Sequence, residues 1–175
     1  MFFPGAFRGF PAVSFRTPDD LIRHGEPILA ATPIEAVHFG RLPRLPLARL
    51  LKTPWPERVC RLTIRDLPAG AEPTLAQWLT SPQAGRLRQI KVLKCVDWTA
   101  ILRAVAESRH LGRLEEVAEE FWHHLPAGEV VLALARSPNL PRLRYVSWGR
   151  WPEYPKATRA ELKRRFPIIP LEKYD

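Results

Sequence analysis

This sequence predicts an α/β solenoid, with a parallel sheet on one face and short helices on the other. Three observations point to it. Ser or Thr followed by Pro recurs at Thr32-Pro33, Thr53-Pro54, Ser81-Pro82 and Ser137-Pro138, with Ser108-Arg109 in register between the last two. Each is followed by an apolar hexad whose three key positions read Ile34/Val37/Phe39, Val59/Leu62/Ile64, Leu87/Ile90/Val92, Leu114/Val117/Glu119 and Leu143/Val146/Trp148. The hexad starts are spaced by 25, 28, 27 and 29 residues. A unit of that length cannot bury its own apolar face and must stack on a neighbour.

The elements follow in order. Residues 10–33 read as an N-terminal cap, with a short strand at Phe10, Val13 and Phe15. A helix then starts at Thr17-Pro18-Asp19-Asp20, where Thr17 can cap, Pro18 suits the first turn and the carboxylates suit the positive end of the dipole. Its apolar stripe is Leu21, Ile22, Ile28 and Leu29.

Residues 34–156 hold about five degenerate units, each running hexad, turn, helix, then Ser/Thr-Pro stop. Helices are predicted at 47–52, 74–80, 99–108 and 128–136, burying Leu47/Leu50/Leu51, Leu75/Leu79, Ile101/Leu102/Val105 and Val131/Leu132/Leu134. Proline disfavours the helical conformation of the residue before it, so the dipeptide ends each helix. Residues 157–175 form a last helix, to about 166, and a tail. The whole chain is read as one domain, and strand-helix-strand connections in a parallel sheet are expected to be right-handed.

Strand side chains alternate, so the fourth and sixth hexad positions point inward and the third, fifth and seventh outward. That assigns Arg61, Thr63 and Arg65, then Gln89, Lys91 and Leu93, then Tyr145, Ser147 and Gly149 to an open face. The fourth unit is the least regular, because Glu119 puts a carboxylate at a core position, where an unpaired charge is costly. Leu114, Val117, Ala118 and Phe121 also fit a helix, but omitting this strand doubles the period to 56 residues, which favours a distorted strand.

The hexads resemble leucine-rich repeats of the ribonuclease-inhibitor-like type, which have a helix in every unit. Arg8-Gly9-Phe10, Ala30-Ala31-Thr32-Pro33-Ile34 and the runs Ala106–Leu114 and Ala135–Leu143 look most like the bacterial repeat-companion leucine-rich proteins. The resemblance spans about residues 8–167 and implies a short leucine-rich-repeat-like solenoid that acts as a binding scaffold. It transfers no catalytic residue. The chain departs from the family at the ninth position, where Asn or Cys is usual: it reads Leu42, Leu67, Cys95, Trp122 and Trp151. Irregular turns are therefore expected.

Composition narrows the function classes. The chain has 175 residues, 46% of them hydrophobic, and a net charge of +9 from 27 basic and 18 acidic residues. Arg supplies most of the basic residues, which a GC-rich coding bias also produces, so the charge alone does not establish a nucleic-acid partner. Cys60 and Cys95 lie in different units with no metal-ligand spacing, and no disulfide framework is expected. The start Met-Phe-Phe-Pro-Gly-Ala-Phe has no signal-peptide pattern, and no apolar run approaches the ~18 residues of a membrane span, so the expected compartment is cytoplasmic.

His123-His124, with Glu119, Glu120 and Glu129 nearby, reads as a polar turn rather than a metal site, because adjacent histidines diverge. Cys95 has no histidine arranged as a base, and no phosphate loop, His-Glu-x-x-His or Gly-x-Ser-x-Gly motif is present. No enzyme activity, cofactor, metal or small-molecule substrate is expected.

Two surface constellations remain. Arg61, Arg65, Lys91 and Lys94 come from adjacent units and should meet on the open sheet, either facing a partner or simply solvated. The second gathers Trp122, Tyr145, Trp148, Trp151 and Tyr154 with Arg144 and Arg150 near the C-terminus. Trp148 and Trp151 fit both a core-closing and an interface role. Tyr145, Arg150 and Tyr154 read as surface contacts. The expected function is a non-catalytic protein-binding scaffold or accessory subunit. The alternative is an RNA- or DNA-binding accessory subunit of a nucleoprotein complex.

Overall fold

A computed structural model of the chain describes residues 3–7, 10–15, 18–31, 35–41, 48–49, 52–53, 58–119, 126–147 and 153–166. Seven strands form one sheet in chain order: β1 (Phe3–Phe7), β2 (Phe10–Phe15), β3 (Ala36–Arg41), β4 (Arg61–Asp66), β5 (Gln89–Val92), β6 (Glu116–Glu119) and β7 (Tyr145–Ser147). From β2 to β7 every neighbour is parallel, and β1 folds back antiparallel on β2. The helices are α1 (Pro18–Ala31), α2 (Glu72–Leu79), α3 (Thr99–Glu107), α4 (Gly128–Arg136) and α5 (Lys156–Arg165). A 3-10 turn at Pro82–Arg86 precedes β5.

The hexads set the register. Val13, Val37, Leu62, Ile90, Val117 and Val146 pair rung to rung, as do Phe15, Phe39, Ile64, Val92 and Glu119. Of these, Val37, Leu62, Ile64, Ile90, Val92, Val117 and Val146 are all at most 2% exposed, so the inward positions make one core seam. Each such side chain contributes on the order of 1.5–3 kcal/mol before entropy is counted. The seam joins a single cluster of buried residues reaching from Val13 to Phe166.

The fourth unit is a strand, since Glu116–Glu119 pairs with both neighbours and Val117 takes its inward place. The cap is more strand-like than the sequence suggests. Phe10–Phe15 is a further parallel rung, and Phe3–Phe7, whose Pro4 and Gly5 hide any strand pattern, covers its outer edge.

The starts of β4, β5, β6 and β7 repeat one backbone device. The Glu35 carbonyl accepts from Cys60 and Arg61, that of Cys60 from Arg88 and Gln89, that of Arg88 from Glu115 and Glu116, and that of Glu115 from Arg144 and Tyr145. Two consecutive N–H groups on one carbonyl align each turn above the last.

The helices form the second layer, α2 against α3, α3 against α4 and α4 against α5. Their inner faces are Leu75, Trp78 and Leu79, then Ile101, Leu102 and Val105, then Val130, Val131 and Leu134. Leu132, predicted to be buried, is only half so; Val130 takes that place because it lies one turn before Leu134 on the same side of the helix. The predicted helix 47–52 falls mostly outside the described residues, where 48–49 are helical.

The turns differ at the ninth position. Leu67 is buried in the core, whereas the Cys95 thiol donates to the Asp97 carbonyl at 3.4 Å and Asp97 Oδ1 accepts from the Thr99 N–H at 2.7 Å. Gly70 has φ 79° in the turn before α2, a conformation that side chains disfavour. Leu42, Trp122 and Trp151 lie outside the described residues.

Candidate interaction surface

Helices cover one face of the sheet, and the other carries the third, fifth and seventh hexad positions. In register, Ala36, Arg61, Gln89, Glu116 and Tyr145 form one row across it. Ser14, His38, Thr63, Lys91, Ala118 and Ser147 form the next. Ser14, His38, Arg61, Thr63, Lys91, Glu116, Tyr145 and Ser147 are half-buried there. Ala36 and Ala118 are buried, and each has a longer side chain on the next rung, Arg61 and Lys91 respectively.

The centre of this face is an internal polar network. Lys91 Nζ lies 2.9 Å from Glu116 Oε1. Gln89 Nε2 donates to the other carboxylate oxygen, Oε2, a bond that offsets the burial of Gln89, which is only 9% exposed. The sequence puts Glu116 at the third hexad position, the same place as Arg61, Gln89 and Tyr145, so its position was legible. Its pairing with Lys91 was not, because the two sit at different hexad positions and meet only diagonally. His38 is held below its ordinary 6.5, first by burial and then by the positive charge of Lys91.

The seven candidate residues therefore separate. Arg65 and Lys94 are exposed and stand on adjacent units, at the end of β4 and just beyond β5. Arg61 is half-buried and engaged in an interaction within the chain, and Lys91 is neutralised by Glu116. The sheet face is thus not the uniform basic patch that the sequence suggested. Tyr145 is half-buried beside Glu116, and Arg150 lies outside the described residues.

Tyr154, expected at the surface, is buried. It is 4% exposed, belongs to the core cluster, and its hydroxyl donates to the Pro126 carbonyl at 2.8 Å. Its ring closes the core against the entry to α4, a role that the basic aromatic run around it concealed.

Cys60 and Cys95 are buried free thiols. Among the described residues no group of three His, Cys, Asp or Glu side chains could hold a metal ion, and His123-His124 lies outside them. No helix among the described residues is long and apolar enough to cross a membrane.

Fold and surface together define an α/β protein with a six-strand parallel sheet, one face under helices and the other open. Comparison with known proteins adds no relative: no family model, curated protein or solved structure matches the chain.

Proposed function

We propose that the chain is a non-catalytic protein-binding module, a short right-handed solenoid similar to leucine-rich repeats that docks an acidic segment of a partner protein against its open sheet face. The observation that carries this reading is the open face itself: six parallel strands in chain order, held rung to rung, with polar side chains on the side away from the helices. Such a surface is ordered before binding, so little conformational entropy is lost on docking.

The solenoid reading is supported by the nearest-neighbour order of both layers and by the carbonyl device recurring at the starts of β4 to β7. Arg65 and Lys94 supply charge that no partner among the described residues neutralises, and Val96, 52% exposed two residues beyond Lys94, supplies an apolar contact beside it. The alternative, a nucleic-acid-binding accessory subunit, is not favoured on this face, because Glu116 places a carboxylate at its centre.

Arg65→Glu with Lys94→Glu leaves the internal pairs of Arg61 and Lys91 untouched. In affinity purification with nuclease treatment, the double variant is expected to lose a protein partner that the native chain retains. Undiminished recovery of that partner would remove the sheet face as the docking surface.

A further inference from the structure

A second charged surface lies at a different place, the edge where the strands begin. In four successive units the residue immediately before the first buried hexad position is arginine: Arg58 before Val59, Arg86 before Leu87, Arg113 before Leu114 and Arg142 before Leu143. All four apolar partners are at most 1% exposed, and all four arginines are exposed.

The backbone device fixes their alignment. The carbonyls of Cys60, Arg88 and Glu115 each bond the strand start of the next unit, and these acceptors lie two residues beyond Arg58, Arg86 and Arg113. The arginines therefore stand on consecutive rungs, and at about 4.8 Å per rung four of them form a row roughly 15 Å long. Among the described residues none of the four makes an ion pair or a side-chain hydrogen bond.

The neighbouring sequence strengthens the row. The turns 53–60, 81–88, 108–115 and 137–144 carry Arg58, Arg86, Arg88, Arg109, Arg113, Arg142 and Arg144 against Glu57 and Glu115 as their carboxylates. Like charges on neighbouring rungs repel one another, so the row weakens the stack unless an anion meets it. Nothing in the packing requires it, since the buried residue of each pair is the aliphatic one.

We propose that this row binds the phosphate backbone of double-stranded nucleic acid without reading its sequence. A row of arginines on consecutive rungs suits a linear polyanion better than a single phosphate, and guanidinium pairs with phosphate in a bidentate manner. Apart from Trp55 in the first, these turns contain no Phe, Trp or Tyr, so the row offers no succession of rings for stacking unpaired bases, which favours a duplex over a single strand. The surface is separate from the sheet face, and the proposal stands whether or not that face binds a protein.

The test is fluorescence anisotropy with a labelled duplex, a single strand of the same length and poly-glutamate, over a series of salt concentrations. The native chain is compared with the quadruple variant Arg58→Ala, Arg86→Ala, Arg113→Ala, Arg142→Ala. A charge-matched control carries Arg103→Ala, Lys156→Ala, Lys163→Ala and Arg164→Ala on α3 and α5. Each phosphate contact contributes about 0.9 to the log–log salt slope for a duplex, so the ladder variant is expected to lose about 3 to 4 units of slope and at least about tenfold in affinity. The control should keep the native slope. The quadruple lysine variant at the ladder positions should restore most of it, which separates charge from misfolding. No native duplex binding at low salt, equal losses in ladder and control variants, or tighter binding of the single strand or of poly-glutamate would each overturn the proposal.

Discussion

The Ser108 hydroxyl donates to the Leu79 carbonyl at 2.8 Å, tying the residue that ends α3 to the last residue of α2 across 29 positions. Ser137, which ends α4, makes the equivalent bond to the Ala106 carbonyl in the last turn of α3 at 2.5 Å. The last carbonyls of a helix have no partner within it. The ends of α2 and α3 are thus completed by the serine of the next unit, whereas the Ser81 hydroxyl turns back to the Trp78 carbonyl of its own helix. That gives a physical reason for Ser137, and for the serine at Ser108, where the following proline is replaced by Arg109.

Replacing Ser108 by Ala leaves the Leu79 carbonyl without this bond and removes the acceptor of the His110 N–H. Stability is expected to fall by about 1–3 kcal/mol, the cost of an unsatisfied buried polar group. Ser137→Ala should cost less, because Ser137 is only half-buried while Ser108 is 2% exposed. Urea midpoints of the two variants check the order, and an unchanged midpoint for Ser108→Ala would count against the link.

Tyr154 separates a core role from a contact role. Tyr154→Phe keeps the ring and is expected to cost about 1 kcal/mol through the lost bond to Pro126. Tyr154→Ala empties a core position and should cost about 3–5 kcal/mol, the range for large aromatic truncations. Partner recovery by Tyr154→Phe should match the native chain. A selective loss of binding at native stability would return this residue to the surface.

The last turn is closed by Arg165. Its guanidinium donates to the Leu140 carbonyl at 2.6 Å and to the Leu143 carbonyl at 3.0 Å, and α5 is also tied to α4 by Arg136 and Glu161. A lysine carries the charge but lacks the planar fork that reaches both oxygens. Arg165→Lys is expected to lose about 1–2 kcal/mol and to speed amide exchange in α5 and the 137–144 turn. Native exchange rates in this variant would show that the charge alone suffices.

His38 introduces a pH dependence. Burial and the Lys91 charge hold its pKa below 6.5, so between the folded value and 6.5 the unfolded chain binds more protons than the folded one. The stability of the neutral imidazole is complete above 6.5 and is lost as pH falls through 6.5 toward the folded value. In urea unfolding at about pH 7.5 and about pH 5.5, the native chain should lose more stability on acidification than His38→Gln. Equal losses would mean that other groups govern this window.

Much of the fold was legible because burial is periodic along the chain. The fourth hexad position recurs at a nearly fixed offset from the first, so Leu62, Ile90, Val117 and Val146 could be placed on neighbouring rungs, and α3, α4 and α5 began and ended within a residue or two of the pattern. The strand Phe3–Phe7 was not legible, because an edge strand tolerates the Pro and Gly that erase its signal. Of the candidate surface residues, Arg65 and Lys94 are exposed, while Lys91 was assigned to the open face without the carboxylate that neutralises it.

Along the strands the sequence by itself determined which side chains face the core and which face out, since alternation and the spacing of the units settle that locally. Only the tertiary structure decided which side chains meet and which align: Glu116 meets Lys91 and Gln89, the buried Tyr154 hydroxyl meets Pro126, and four arginines align on consecutive rungs of one edge. The reason is distance along the chain. Partners such as Lys91 and Glu116, or Ser137 and Ala106, lie a whole unit apart and are brought together by strand register and helix packing, and no local pattern encodes which of them touch.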